Sequence, residues 1–219
     1  MKGIDGTRNG WISAEFTGEE WKVDFHEKLS EIDFVEALID IPIGLPEDKT
    51  RKCDKMARKF LSPERHYSVF NCPVRDAVYA ESYEEACNIN EEKTGKRISK
   101  QAWNIVPKIR EADKEARLRD LTEGHPEVFF KSLNKSSVCD SKSTEKGLKD
   151  RIEVLKEFGD TSVISSFEQK DVSKDDLLDA MVLSLGKKSE LETMPEDPPR
   201  DCKNIEMKIM KPKKYDIQT

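Results

Sequence analysis

Near residue 40 an acid interrupts an otherwise apolar stretch, and this feature constrains the fold most. Residues 37–43 read Ala-Leu-Ile-Asp-Ile-Pro-Ile, a run typical of a strand that is covered on both faces of a sheet, with Asp40 inside it. Asp5 interrupts a similar short run, residues 2–6, close to the N-terminus. A buried carboxylate without a partner is strongly unfavourable or gives up its charge. We therefore expect each acid to bind a metal, pair with a cation or take part in catalysis.

A third acidic cluster lies in the last predicted helix. Asp176 and Asp179 are three positions apart and would share one helix face. Each acid also has an ordinary structural interpretation: Asp5 could cap the following turn, Asp40 could pair with an arginine, and Asp179 could face solvent. Asp176 follows Ser173 at the spacing of a capping box, which predicts a purely structural role equally well.

Composition argues against several classes of protein. The 219 residues carry a formal net charge of −6 and contain no apolar run long enough for a membrane span, and the N-terminus lacks the apolar segment of a signal peptide. We therefore expect a cytoplasmic protein without membrane contact. The five cysteines form no CxxC pair and the three histidines form no HExxH motif, so neither a disulfide framework nor a zinc hydrolase is indicated. Basic runs in residues 49–59, 93–119 and 208–214 keep nucleic acid open as a partner, although any single run is more often a solvated helix face.

The order of predicted elements indicates an α/β protein. Three strands in an antiparallel meander precede a short helix and a fourth strand, and a long charged helical segment then precedes a fifth strand and two helices. The predicted strands are residues 2–6, 11–16, 20–25, 37–43 and 126–133. The predicted helices are residues 30–36, 49–61, 82–92, 99–121, 147–158 and 173–185. We expect one domain over residues 2–189 with a helical insertion at about 47–121, followed by a charged, proline-containing extension over residues 190–219 that is a linker or is loosely docked.

Short motifs occur in a characteristic order over about residues 2–186. They are GIDGTRNGW at 3–11, IDIPIGL at 39–45, RKCD at 51–54 with AR at 57–58, SVF at 68–70, Gln101, EGHPEV at 123–128 and DDLLDA at 175–180. As a set they resemble the DUF429 family, whose members are described as predicted ribonuclease H-like nucleases. The last motif is also similar to the terminal helix of RuvC-type junction resolvases, in which two aspartates three apart bind metal. Gly124 departs from the family's pattern, which has serine there.

The resemblance implies a ribonuclease H-like fold. In such a fold a mixed five-stranded sheet, three antiparallel strands plus two parallel strands, is flanked by helices, with a helical insertion between the fourth and fifth strands. Asp5 and Asp40 would then lie side by side on adjacent central strands. Asp176 and Asp179 would join them if the last helix packs across the sheet.

Such a carboxylate cluster suits Mg²⁺ or Mn²⁺, and two-metal hydrolysis of a phosphodiester needs hard oxygen ligands around ions about 3.5–4 Å apart. The resemblance therefore predicts a metal-dependent nuclease that acts on RNA or DNA. The predicted catalytic residues are Asp5, Asp40, Asp179 and Glu127, and the predicted metal ligands are Asp5, Asp40, Asp176 and Asp179. For Glu127 a packing role is an equally good interpretation.

Basic residues beside these motifs are the expected substrate contacts, namely Arg8, Arg65, His66 and Arg75. Two other functions stay open. One is a non-catalytic module on the same fold that binds nucleic acid or protein. The other, less favoured, is an actin-like ATP-binding protein: residues 5–7 resemble the first phosphate loop of that class, but a second such loop is absent.

Overall fold

The structure, a computed structural model, describes residues 1–134, 140, 144–187 and 190–213. The described residues fall into two compact units. The first lies in Met1–Asp40, Asp120–Glu192 and Met210–Thr219, and the second lies in Ile41–Arg119 and Thr193–Ile209. No helix in the described part of the chain combines the length and the apolar character that crossing a bilayer requires. Cys139, Lys214 and the last residues of the expected extension lie outside the described residues.

One mixed sheet forms the centre of the first unit. Its strands are β1 (Lys2–Gly6), β2 (Trp11–Phe16), β3 (Trp21–His26), β4 (Glu36–Ile39) and β5 (Asp120–Glu123). They lie in the order β3-β2-β1-β4-β5. The β1–β2 and β2–β3 pairs are antiparallel, whereas β1–β4 and β4–β5 are parallel. The sheet confirms the predicted α/β class, with three antiparallel strands plus two parallel ones and a helical segment between the fourth and fifth strands.

The remaining elements of the described residues are mostly helical. The α-helices are α1 (Lys52–Leu61), α2 (Arg75–Val78), α3 (Tyr83–Thr94), α4 (Lys100–Asn104), α5 (Val106–Glu115), α6 (Pro126–Leu133), α7 (Glu145–Lys156), α8 (Val163–Ser166) and α9 (Lys174–Ser184). Single turns of 3₁₀-helix occur at Leu29–Glu31 and His66–Ser68. Two short strands, β6 (Leu191–Met194) and β7 (Ile209–Pro212), form a separate sheet.

Helix α9 packs closely against β1 and β2. Its start is defined by a capping box in which the Ser173 hydroxyl accepts the N–H of Asp176 (3.2 Å) and the Asp176 carboxylate accepts the N–H of Ser173 (3.0 Å). From Leu177 onward every residue of the helix is buried. A Cβ atom on Gly3 would lie 2.0 Å from the carbonyl oxygen of Ala180, so only glycine lets the helix backbone approach β1 this closely.

The predicted strand at 126–133 is wrong, because these residues form helix α6 and the fifth strand is β5. Pro126 occupies the first turn of the helix. An N–H group in that turn has no intrahelical acceptor, so the missing N–H of proline costs no hydrogen bond. Nearly the whole helix is buried, and a short apolar run of this kind fits a buried strand or a buried helix equally well. The four-residue edge strand β5 is hard to recognise from the sequence, because its end residues Asp120 and Glu123 are charged and acids are uncommon in strands.

Three other predicted boundaries differ from the structure. The helix expected at 30–36 is a single 3₁₀ turn at Leu29–Glu31, and the strand expected at 37–43 already ends at Ile39. The long helix expected at 99–121 is divided into α4 and α5, with β5 beginning at Asp120. Pro107 lies in the first turn of α5, where proline is compatible with the start of a helix, so the second helix begins there.

A buried ion-pair network stabilises the second unit. Arg75 donates to both carboxylate oxygens of Asp113 (3.1 and 3.0 Å) and to Asp201 (2.5 Å). Asp201 also accepts the backbone N–H groups of Leu45, Lys203 and Ile205. Burial alone would lower the pKa of Arg75, but the hydrogen bonds and charges of the two acids outweigh burial, so its pKa is raised. Asp201 thereby ties residues 193–209 into this unit.

Candidate metal centre

Strands β1 and β4 place Asp5 and Asp40 beside each other. The parallel register pairs Ile4 with Ile39, and the N–H of Asp40 donates to the carbonyl of Ile4 (3.0 Å). Asp5 follows Ile4 and Asp40 follows Ile39, so the two acids are neighbours. The carboxyl ends of parallel strands meet at one edge of a sheet, which is where ligands bind in many α/β proteins. Asp5 is 8% exposed, and its Oδ1 accepts the N–H of Gly6 (2.7 Å). Asp5 therefore makes the turn-capping contact that the sequence analysis gives as its ordinary structural role.

Asp179 reaches the same place from helix α9. The close approach of α9 at Gly3 brings the helix over β1, two residues before Asp5. The indole N–H of Trp21 donates to the carbonyl of Met181 (3.2 Å) and to the hydroxyl of Ser184 (3.0 Å), which holds the later turns of the helix on the sheet. Asp179 is only 2% exposed, and this burial excludes the interpretation of a solvent-facing acid.

The three acids form one cluster. One carboxylate oxygen from each of Asp5, Asp40 and Asp179 can be chosen so that all three atoms lie within 4.8 Å of one another. Around an octahedral Mg²⁺ with bonds of about 2.1 Å, adjacent oxygens are about 3.0 Å apart and opposite oxygens about 4.2 Å apart, so the three carboxylates would move closer together to share one ion. The oxygen-only donor set suits a hard divalent cation. The residues present therefore fit a metal of the predicted kind.

Asp176 is not part of this cluster in the described residues. Its carboxylate caps α9 through the N–H of Ser173. The structural interpretation of the Ser173–Asp176 spacing is therefore confirmed, and the expected set of four carboxylates is a set of three. On a helix of this length, an acid in the first turn also interacts favourably with the helix dipole.

Glu127 lies in the first turn of α6 and is held by an arginine. Its Oε1 accepts a hydrogen bond from Nη2 of Arg151 (2.6 Å), and both side chains are buried. Arg151 also donates to the carbonyls of Gly147 and Asp140 (2.8 Å each). These contacts connect α6 with α7 and give Glu127 a structural role.

The residues at the end of β5 lie close to helix α9, but they add no acid to the cluster of Asp5, Asp40 and Asp179. Glu123 pairs with Ile39, so strand alternation directs it to the opposite face from Asp40. At Gly124 a Cβ atom would lie 2.8 Å from a terminal methyl carbon of Leu183 in α9. Glycine at this position makes room for that leucine.

The expected substrate contacts are divided between the two units and differ in exposure. Arg8 is exposed in the turn between β1 and β2, in the first unit. The other three lie in the second unit, where Arg75 is committed to Asp113 and Asp201. Arg65 is 4% exposed and donates to the hydroxyl of Tyr67 (2.7 Å). His66 is exposed, and its Nδ1 lies 2.8 Å from the carbonyl oxygen of Pro63, to which it donates.

Sequence reasoning missed Tyr67, an exposed large hydrophobic side chain of this turn at 61%. A lone tyrosine in a polar loop carries no periodic signal, so only the structure separates it from the buried arginine two residues earlier.

Three carboxylates gathered from two parallel strands and from a helix packed across them define an α/β protein with a candidate acidic metal centre. Residues 3–200 match the family described as "Protein of unknown function (DUF429)", and the chain belongs to this family. The matched range includes all three acids. No curated protein and no solved structure matches the chain.

Proposed function

We propose that this protein is a metal-dependent nuclease that hydrolyses phosphodiester bonds in nucleic acid. The observation that supports the proposal is the meeting of Asp5, Asp40 and Asp179 within 4.8 Å at the edge of the sheet. These acids come from three separate segments of the chain, and each lies in or next to an apolar run. Placing three like charges together is unfavourable by itself, and a bound divalent cation offsets that repulsion.

In this proposal Asp5, Asp40 and Asp179 hold Mg²⁺ or Mn²⁺. Bound there, the metal would supply Lewis-acid chemistry that activates a water and stabilises the charge on the leaving oxygen. The three carboxylates provide six oxygens, and water and substrate phosphate would complete the coordination of one or two ions. The buried positions of Asp5 and Asp179 restrict the motion of both ligands, which favours a defined geometry.

A nuclease panel with substituted variants tests the proposal. Labelled single-stranded RNA, single-stranded DNA, duplex DNA, an RNA–DNA hybrid and a four-way junction are incubated with the protein in Mg²⁺, Mn²⁺ or EDTA. We expect metal-dependent cleavage that is lost in Asp5→Asn and in Asp40→Asn. Glu19→Gln is the matched control, since it removes one negative charge at an exposed position of the same unit.

Two results would contradict the proposal. Cleavage at the wild-type rate by Asp40→Asn, purified in parallel, would assign the activity to a contaminant or to another site. Metal binding without cleavage of any substrate in the panel, while nucleic acid still binds, would favour the non-catalytic module. A calorimetric titration with Mn²⁺ separates these outcomes, because it reports occupancy of the acidic cluster without requiring activity.

A further inference from the structure

The three basic runs of the sequence have different environments in the structure. In the run at 93–119 most of the charges are used internally. Acids pair with Lys93, Arg97, Arg117 and Arg119, and Arg110 donates to two backbone carbonyls. In the run at 208–214, Lys208 pairs with Glu206 and Lys211 pairs with Glu192. These two runs therefore present less positive charge than their composition suggests.

Helix α1, in the remaining run, presents its lysines to solvent. Lys52, Lys55 and Lys59 are exposed, and none of them forms an ion pair with any residue that the structure describes. Their spacing of three and four residues places all three on one face of the helix. In residues 52–67 Asp54 and Arg65 are buried and Arg58 donates to the carbonyl of Val69, so the exposed charges are these three lysines against Glu64. This surface is therefore locally basic in a chain of net charge −6.

The opposite face of α1 is buried in its own unit. Cys53, Ala57 and Leu61 have essentially no exposed surface. A helix that lies on a membrane needs its apolar face free to enter the lipid. The apolar face of α1 is already used, so the lysine face fits a water-soluble polyanion better than it fits a bilayer.

An exposed aromatic ring follows α1 directly. The 3₁₀ turn His66–Ser68 packs on α1, and the N–H of Arg65 donates to the carbonyl of Leu61 at the end of the helix (3.0 Å). Tyr67 in this turn is 61% exposed. The guanidinium of Arg65 lies over the ring at 5.1 Å from its centroid and donates to the Tyr67 hydroxyl, and the His66 ring contacts it edge-on at 5.9 Å. These contacts orient the ring, and most of its surface stays exposed.

We propose that the lysine face of α1 and Tyr67 bind single-stranded nucleic acid, with the lysines on phosphates and the ring stacked on a base. A line of cations beside an exposed aromatic ring is the arrangement by which proteins bind single strands without reading sequence. Bases in a duplex are already stacked on each other, so the ring selects unpaired bases. The inference adds a substrate-binding surface to the proposed function. It rests on that function only where it takes the bound strand to be the substrate of the nuclease.

Fluorescence anisotropy with labelled oligo-dT and oligo-U, in EDTA and at several salt concentrations, tests the inference. The variant K52Q/K55Q/K59Q should bind more weakly, with a log Kd against log salt slope smaller by about 2, because each phosphate contact to a single strand contributes about 0.7. The matched control K96Q/K100Q/K114Q removes the same charge from exposed lysines of the same unit and should keep the wild-type slope. Circular dichroism verifies that both variants fold.

The aromatic contribution is measured separately. Tyr67→Ala should lower affinity about 5- to 150-fold at an unchanged salt slope, the range expected for one stacked base. Tyr67→Phe keeps the ring and should bind nearly as the wild type does. Equal effects of the two triple variants, or an unaltered affinity in Tyr67→Ala, would overturn the inference.

Two further outcomes are decisive. Tighter binding of a duplex competitor than of the single strand would overturn the inference. It would also be overturned if the α1 lysines were needed for binding to anionic vesicles but not for binding to oligonucleotides. Failure of this inference is distinguishable from failure of the proposed function. If oligonucleotide binding ignores α1 while Asp40→Asn abolishes cleavage, only the inference fails. If binding depends on α1 and no metal-dependent cleavage exists, only the nuclease proposal fails.

Discussion

Replacing Asp179 with asparagine should stabilise the metal-free protein and remove the stabilisation that a divalent cation gives. Asparagine keeps the size and shape of the side chain but carries no charge. In the wild type the carboxylates of Asp5, Asp40 and Asp179 approach within 4.8 Å, so the substitution removes two of the three repulsive pairs. The same substitution removes one of the three candidate ligands. The order of stability of the two proteins should therefore invert when metal is added.

Coulomb's law sets the size of the effect. Two unit charges at 4.8 Å repel by about 3.5 kcal/mol at an effective dielectric constant of 20 and by about 0.9 kcal/mol in water. Protons and counter-ions reduce these values, so we expect Asp179→Asn to raise the free energy of unfolding by about 1–3 kcal/mol in EDTA. For a chain of this size that is about 2–12 °C in Tm. A cation at 1,000 times its Kd adds about 4.1 kcal/mol to the wild type, which is enough to invert the order.

Thermal unfolding in EDTA and in excess Mn²⁺, followed by circular dichroism, measures both effects. Glu19→Gln should resemble the wild type under both conditions, since its charge lies on the surface of the same unit. The reasoning is refuted if Asp179→Asn is less stable than the wild type in EDTA and both proteins respond equally to Mn²⁺. That result would mean that Asp179 stabilises the fold through hydrogen bonds and does not bind metal.

Two further predictions concern the surroundings of the cluster. Gly3→Ala should destabilise the protein by about 3 kcal/mol or more in urea unfolding, because the new Cβ atom would overlap backbone atoms of Ala180, Leu183 and Ser184; an unchanged midpoint would contradict the close approach of α9 to β1. Burial lowers the pKa of His26, so the unfolded chain binds the proton more tightly and stability should fall as the pH drops below the ordinary value of 6.5. His26→Gln should flatten the pH dependence of Tm between about pH 7 and 5, and an unchanged slope would contradict this assignment.

Local signals in the sequence predicted the elements that position the site. The meander of β1 to β3 follows from alternation and turn residues, and the start of α9 follows from the Ser173–Asp176 capping box. The fifth strand at residues 120–123 and the helix at residues 126–133, where a strand was predicted, could not be recognised this way. β5 is short and has charged ends, and it pairs as an edge strand, whereas six of the eight residues of α6 are buried. Both are determined by tertiary pairing and burial, which a local pattern does not contain.

The roles of the four expected metal ligands were predictable from the sequence to different degrees, for a physical reason. Asp5, Asp40 and Asp179 contrast with apolar neighbours, and that contrast is visible in the sequence. Asp176 has no such contrast, because one spacing serves both a cap and a ligand pair. The inward role of Arg75 was not predictable, since its partners Asp113 and Asp201 lie 38 and 126 residues away along the chain.

The distribution of these groups between the two units makes the proposals separable. Asp5, Asp40 and Asp179 all belong to the first unit, and the closeness of α9 to β1 is enforced there by Gly3. The lysine face and Tyr67 belong wholly to the second unit. Substitutions in the acidic cluster should therefore change metal affinity, and substitutions on α1 should change the salt dependence of strand binding in EDTA, because each property is assigned to groups of one unit. If both classes of variant altered both properties, the strand and the metal would have to share ligands, and the assignment of metal binding to the first unit and strand binding to the second would be wrong.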